Sequence, residues 1–471
     1  MLRISLRKFG FVHDLLGIHN TTSHGYIFGC NPPHKVIPEH SPLVSQDLPK
    51  KLQLTTLSNG VRIVTESEGL PSSVHLGVTI STGVRDETEK YSGVVHALSQ
   101  TYLKTNVRTN EQINYGMIQM SGGEFNMTYD HDFMNYHGFC LAHDTYDIMQ
   151  MLSDCVLDEK TIMDEEAAQW RTDEYWKLRS VNMTNWKRLN ELWLSTAYGF
   201  KGYGMPLSGF ESNFQNLGHY YMNQWRKHHA TPDRMTVWGA GVKNHAEFVD
   251  TVTPYFVHLE PSKAKPREAS KYLGGDHKEI CDSSLTHVSF SFQGPSRVDK
   301  NLASAFVLKY ILGNNNSGLH SRAYKNFAQK YSGIEAFETD HEAFADTGNF
   351  RINLAIHNDK TKEVCEGFTK EFLDLANVTD EEVTRAKNLL INTSLRKSAE
   401  TGRRTKKSVQ GLAYTGKLSD ISEFVKEVEA VTKDSIKQVV EGMRKSRPTV
   451  VALGGSVHDV PNADSLHSKL R

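Results

Sequence analysis

Apolar positions along this chain change period several times, and each change marks an element. Leu54 to Ser67 (LTTLSNGVRIVTES) has two strand-like runs around a turn at Ser58-Asn59-Gly60. Val74 to Ser81 (VHLGVTIS) alternates with period two and reads as a strand. Tyr91 to Asn106 (YSGVVHALSQTYLKTN) reads as a helix, because Val94, Leu98 and Tyr102 recur every four residues and share a face. Ser121-Gly122-Gly123 is a turn, and Glu124 to Phe139 reads as an antiparallel meander. Asp144 to Val156 is amphipathic, with Ile148, Met151, Leu152, Cys155 and Val156 on one face. A polar helical region with Trp170, Trp176, Trp186 and Trp193 then runs to about Thr196 and is expected to serve the core and subunit contacts.

The pattern then repeats. Pro232 precedes a strand at Met235 to Gly241 that ends in glycines, and Pro448 precedes Thr449 to Gly455, 448 − 232 = 216 residues later. Val288 to Gly294 (VSFSFQG) alternates as Val74 to Ser81 does, and Leu302, Phe306 and Tyr310 form a helix seam after it. A two-fold internal repeat of roughly 200-residue units accounts for the shared order. Each unit is expected to be α+β, a largely antiparallel sheet packed with helices. Pro261 to Ser270 (PSKAKPREAS) is charged, holds two prolines and lacks an apolar period, so it reads as the join. The expected division is an N-terminal segment over 1–50, a first domain over 51–260, a linker over 261–270 and a second domain over 271–471.

Composition narrows the function classes. At 471 residues the chain is long enough for two cores. A formal charge of −1 supplies no field for nucleic acid, and no run of 18 apolar residues predicts a membrane span. The five cysteines are scattered without a CxxC pair, which suits free thiols in a reducing compartment. The first residues carry Arg3, Arg7 and Lys8 with no acid before Asp14, and Leu2, Leu6 and Phe9 would share a helix face, as in a mitochondrial targeting segment. Five prolines between residues 20 and 50 predict an extended arm.

Candidate chemistry centres on His96, Ser99 and Gln100. Two histidines four apart on a helix can grip zinc, and a carboxylate between them can activate its water. Here only the first histidine is present, and neither HxxEH nor HExxH occurs among the 22 histidines. His228-His229 reads as a surface turn, since adjacent side chains point apart. Gly239-Ala240-Gly241 lacks the third glycine of a dinucleotide fingerprint. Arg403-Arg404-Thr405-Lys406-Lys407 is a basic run on a predicted helix, either a solvated face or a contact for an acidic partner or lipid headgroups.

Several stretches together resemble the pitrilysin-type metallopeptidases, in the branch of the mitochondrial processing peptidase α subunit and complex III core protein 2. They are Leu57 to Glu66, Gly83 to Glu87 (GVRDE), Gly93 to His96, Ala197 to Gly209 (AYGFKGYGMPLSG), Tyr272 to Asp276, Phe344 to Phe350 (FADTGNF) and Arg385 to Asn388. The resemblance spans about Leu54 to Gly455 and implies two homologous metallopeptidase-like domains. Active members of the family carry HxxEH and a distal Glu; the matching positions here are His96, Ser99 and Gln100, with Glu174 roughly where the distal Glu would fall. The resemblance therefore implies a chain that holds no metal and no cofactor and has no peptidase activity of its own. The family's glycine-rich loop falls at Gly313, Asn314, Asn315, Asn316, Ser317 and Gly318, where it is shortened and asparagine-rich. Two roles follow as expectations. One is a non-catalytic core subunit of complex III, peripheral on the matrix side of the mitochondrial inner membrane. Its partners would be a β-type homologue in a heterodimer and the cytochrome b, cytochrome c1 and iron–sulfur subunits. The other is the α subunit of the processing peptidase, binding mitochondrial presequences. An autonomous zinc peptidase is disfavoured by Ser99 and Gln100.

Overall fold

The computed structural model describes residues 52–69, 72–105, 122–159, 185–213, 217–313 and 320–471. The N-terminal segment, Cys30, Glu174, Trp170, Trp176 and Asn314 to Gly318 lie outside them, as does the side chain of Trp186.

The first sheet takes its strands from β1 (Leu52–Thr56), β2 (Arg62–Glu66), β3 (Ser73–Ile80), β4 (Glu124–Tyr129), β5 (Met134–Leu141) and β6 (Met235–Ala240), in the order β1-β2-β6-β3-β5-β4. Only β2 and β6 run parallel; the other neighbours are antiparallel. Strand alternation sorts its two faces. Ile63, Leu76, Val78 and Val237 point to a core shared with α1 (Val94–Gln100), α2 (Thr145–Leu157), α4 (His219–His229) and α5 (His245–Phe256). Val64 and Trp238 point the other way. The helix predicted over 91–106 is shorter than expected. Gly93 takes φ +95°, a conformation that interrupts a helix at its start, and Thr101 ends it by hydrogen-bonding its hydroxyl to the Ala97 carbonyl. Tyr102, beyond the helix, packs instead on Phe125.

The second sheet repeats this plan with β7 (Gly275–Ile280), β8 (Leu285–Gly294), β9 (Ile334–Ala343), β10 (Gly348–His357) and β11 (Thr449–Gly454), in the order β7-β11-β8-β10-β9. Here β7 and β11 are the parallel pair, in the place of β2 and β6. Its helices include α6 (Leu302–Leu312), α7 (Thr361–Asp374), α8 (Asp380–Ser398), α9 (Thr401–Thr415), α10 (Ile421–Glu429), α11 (Lys433–Lys445) and α12 (Ala463–Leu470). The first residues of α2 and α7, Thr145 and Thr361, are 216 apart, and so are Asn185 and Thr401, which open α3 (Asn185–Tyr198) and α9.

The repeat extends to packing. Each half lends one helix to the other's open sheet face. Leu189, Trp193, Leu194, Ala197 and Tyr198 of α3 bury against Val451 and Leu453 of the second sheet and Phe344 beyond it. Val409 and Leu412 of α9 bury against Val64 and Trp238 of the first. Both exchanges remove apolar surface from water across the halves, so each half completes the other. Residues 261–270 are irregular, as their composition predicted, but they are tied down. Arg267 pairs with Asp86, the Ala264 amide donates to Asp233 and the Ser270 amide to Asp346.

Candidate functional site

His96 is half-buried on α1, and its Nδ1 lies 2.7 Å from the Tyr129 hydroxyl of β4. Ser99 is buried, and its hydroxyl donates to the His96 carbonyl at 2.7 Å, a bond within the helix. Gln100 is exposed at the helix end. Glu191 on α3 lies within electrostatic reach of His96; burial raises its pKa, against the Leu207 amide that hydrogen-bonds it and the imidazole. Glu87 is fully enclosed and caps α1, accepting from the Gly93 amide at 2.8 Å and the Val95 amide at 2.7 Å. Burial pushes its carboxyl up to about 8 despite those two donors. Gly93 abuts the glycine–proline segment: a Cβ on Gly209 would fall 2.3 Å from the Gly93 Cα.

Zinc, the metal of the active members in the family resemblance, does not fit these local donors. Beside His96 stand a serine hydroxyl already committed to its own helix and an exposed neutral amide, neither of them an imidazole ligand or a carboxylate base. Among the described residues, no three His, Cys, Asp or Glu side chains come together as a metal group.

Three of the stretches that carried the resemblance converge elsewhere, on a buried junction between the halves. Arg85 of GVRDE pairs with Asp132 at 3.1 Å and with Asp346 of FADTGNF at 3.0 Å. Its guanidinium lies 4.2 Å from the Tyr203 ring centre and hydrogen-bonds the Tyr203 hydroxyl. Tyr203 donates to Asp132, accepts from the Ala345 amide at 3.0 Å, and stacks on Phe344 with centroids 4.0 Å apart. The Tyr414 hydroxyl of α9 donates to Asp132 at 2.8 Å. Tyr198 reaches Thr347 and Asn349, each at 3.0 Å. These residues interlock the halves. Spacing could not reveal the junction, because Asp132, Tyr203 and Asp346 are far apart in sequence.

Of the remaining sequence readings, His228 and His229 end α4 instead of forming a surface turn, and His229 stacks on Trp225 with centroids 4.6 Å apart. An apolar and aromatic seam on that helix keeps its last turn regular. Cys140 and Cys365 are free thiols. Gly313 ends α6 with φ +83°. No helix among the described residues is long and apolar enough to cross a membrane.

Two family models match the chain: "Insulinase (Peptidase family M16)" over residues 62–210 and "Peptidase M16 inactive domain" over 219–390. Together they span more than half of it. The chain is 25% identical to the mitochondrial-processing peptidase subunit alpha of Solanum tuberosum over 454 residues, covering 91% of this chain and 87% of that protein. It is 29% identical to the ubiquinol-cytochrome-c reductase complex core protein I of Euglena gracilis, covering 64% of this chain and 60% of that one. A protease from Helicobacter pylori shares the fold, with a TM-score of 0.76 at 16% identity over 86% of this chain and 99% of that one.

Proposed function

Because the chain belongs to the M16 peptidase family, in the branch of the mitochondrial processing peptidase and the complex III core subunits, we propose that it is a non-catalytic scaffold. Its place would be as a core subunit of mitochondrial complex III, peripheral on the matrix side of the inner membrane. It would pair there with a β-type homologue and contact the cytochrome b, cytochrome c1 and iron–sulfur subunits. The single observation that supports this reading is the committed Ser99 hydroxyl and exposed Gln100 beside His96, where a working site needs a carboxylate and an imidazole. Electron transfer would belong to the partners, and this chain would supply rigid surface. The interlocked junction suits that role, since it holds the two halves in one arrangement.

A second reading is the α subunit of the processing peptidase, presenting presequences to a β-type partner; similarity to the potato α subunit across 91% of this chain favours it. One chain could serve both complexes. The test is gentle detergent extraction of mitochondrial membranes, a native gel probed for this chain, and haem spectra of the band. Migration with b- and c-type haem and quinol–cytochrome c reductase activity supports the first reading. A haem-free pair near twice the chain's mass that cleaves presequences moves the conclusion to the second. Stoichiometric zinc binding and peptide cleavage by the purified chain alone would overturn both.

A further inference from the structure

The basic run Arg403 to Lys407 divides once folded. Arg404 turns inward to Glu66 and to Glu68, the latter at 2.8 Å, and Thr405 also bonds Glu66. Lys406 reaches the Thr128 hydroxyl at 2.8 Å, with Asp130 nearby. Arg403 and Lys407, one helical turn apart, are left exposed on the outer side of α9. Two more exposed cations join them from other elements. Lys397 lies in the last turn of α8, and Arg297, in the loop after β8, sits 5.9 Å from the Tyr414 ring centre of α9.

Among the described residues, none of these four lies within ion-pairing distance of a carboxylate, although acids and bases are nearly equal in number along the chain. The acids behind the patch already have partners or sit partly buried. Asp340 holds Lys309 and Arg351, Glu342 is half-buried within electrostatic reach of Arg351, and Asp130 accepts from the amides of Asp132 and Phe133. The four cations sense one another: Arg403, Lys397 and Arg297 all depress Lys407, after burial. Uncompensated like charges drawn from three elements cost stability unless something neutralises them.

We propose that Arg297, Lys397, Arg403 and Lys407 form a docking surface for an acidic polypeptide segment of a partner protein. Charge complementarity selects the occupant's sign, and the rim selects its shape. Asp299 and Glu400 are exposed beside the patch and would be pressed against a flat anionic membrane, whereas a discrete acidic strand or loop can pass between them. Two arginine forks suit bidentate carboxylate recognition. The surface is independent of the His96 site, because α9 and α1 cover opposite faces of the first sheet.

The test uses the full chain and a fluorescein-labelled oligoglutamate peptide, followed by anisotropy at low and high salt. The wild type should bind, and salt should weaken binding. Arg403→Glu with Lys407→Glu should weaken it about tenfold or more, while Lys437→Glu on the exposed side of α11 should leave it unchanged. If the double variant fails to fold by circular dichroism, Arg297→Glu on its separate loop carries the same expectation. Absence of peptide binding by the wild type, equal losses in Lys437→Glu, or binding to phosphatidylcholine–phosphatidylglycerol vesicles without peptide binding would each overturn the proposal.

Discussion

Asp132→Ala tests whether the buried junction holds the halves together. The carboxylate is 2% exposed and accepts from Arg85, Tyr203 and Tyr414, with Arg267 at 3.7 Å. Its loss leaves Arg85 with Asp346 across the junction and strands two tyrosine hydroxyls from their shared acceptor. Breaking a buried ion pair from one side costs about 3–5 kcal/mol, because the remaining charge stays desolvated. In a cooperative unit running from Leu48 to Arg471, that corresponds to a fall in melting temperature of roughly 3–6 °C. Asp132→Asn keeps shape and an acceptor and should lose about half as much. The assay is calorimetry with near-ultraviolet circular dichroism, which follows the Tyr203–Phe344 stack. Asp346→Ala should couple to Asp132→Ala by more than about 0.5 kcal/mol through the shared Arg85. A fall of less than about 1 °C for Asp132→Ala, with additive double-variant effects, would refute the junction's role.

Four other outcomes are expected. Trp193→Ala should destabilise the fold by about 3–5 kcal/mol in urea unfolding, since that side chain is 1% exposed between α3 and the second sheet. Gly77→Ala should cost about 1–3 kcal/mol, because its Cβ would sit 2.3 Å from Cζ2 of Trp238, whose indole N–H donates to Thr79. The stability that Glu87 and His131 contribute should be level between about pH 4.5 and 6.5 and fall on either side, read from melting temperatures. On the alkaline side, Glu87 is raised by burial from 4.5 to about 8, so its contribution is full below the unfolded value and is lost as pH rises through about 8. On the acid side, His131 is lowered by burial from 6.5 to about 4, so its contribution is full above 6.5 and is lost as pH falls through about 4. Glu87→Gln should therefore abolish the fall above about pH 6.5 and uncover a rise in stability between about pH 4.5 and 6.5 that Glu87 had offset. Ser99→Glu with Gln100→His should not by itself yield a good peptidase, and substantial metal-dependent cleavage by that variant would show the site to be more intact than its local geometry implies.

The elements were largely legible from periodicity. Ser73–Ile80 and Thr145–Leu157 lie within a residue of the runs read from the chain, because period-two and four-apart apolar spacings depend on local geometry alone. Errors fell where a non-local or backbone effect decided. Tyr102 looked helical, but Gly93 and Thr101 bound a seven-residue helix. The ties of residues 261–270 to Asp86 and Asp233 likewise leave no local trace. Glu191, which meets His96 from α3, has no spacing signal at all.

Sequence by itself determined the two-fold repeat and the strand and helix order, since each is written in local order and residue type. Tertiary structure alone decided three things. It exchanged α3 and α9 between the halves, it gathered Arg85, Asp132, Tyr203 and Asp346 into one buried junction, and it split the basic run into inward and outward sides. The reason is common to all three. Burial and ion pairing depend on which surfaces meet, and chain separation carries almost no information about that once the halves have folded onto each other.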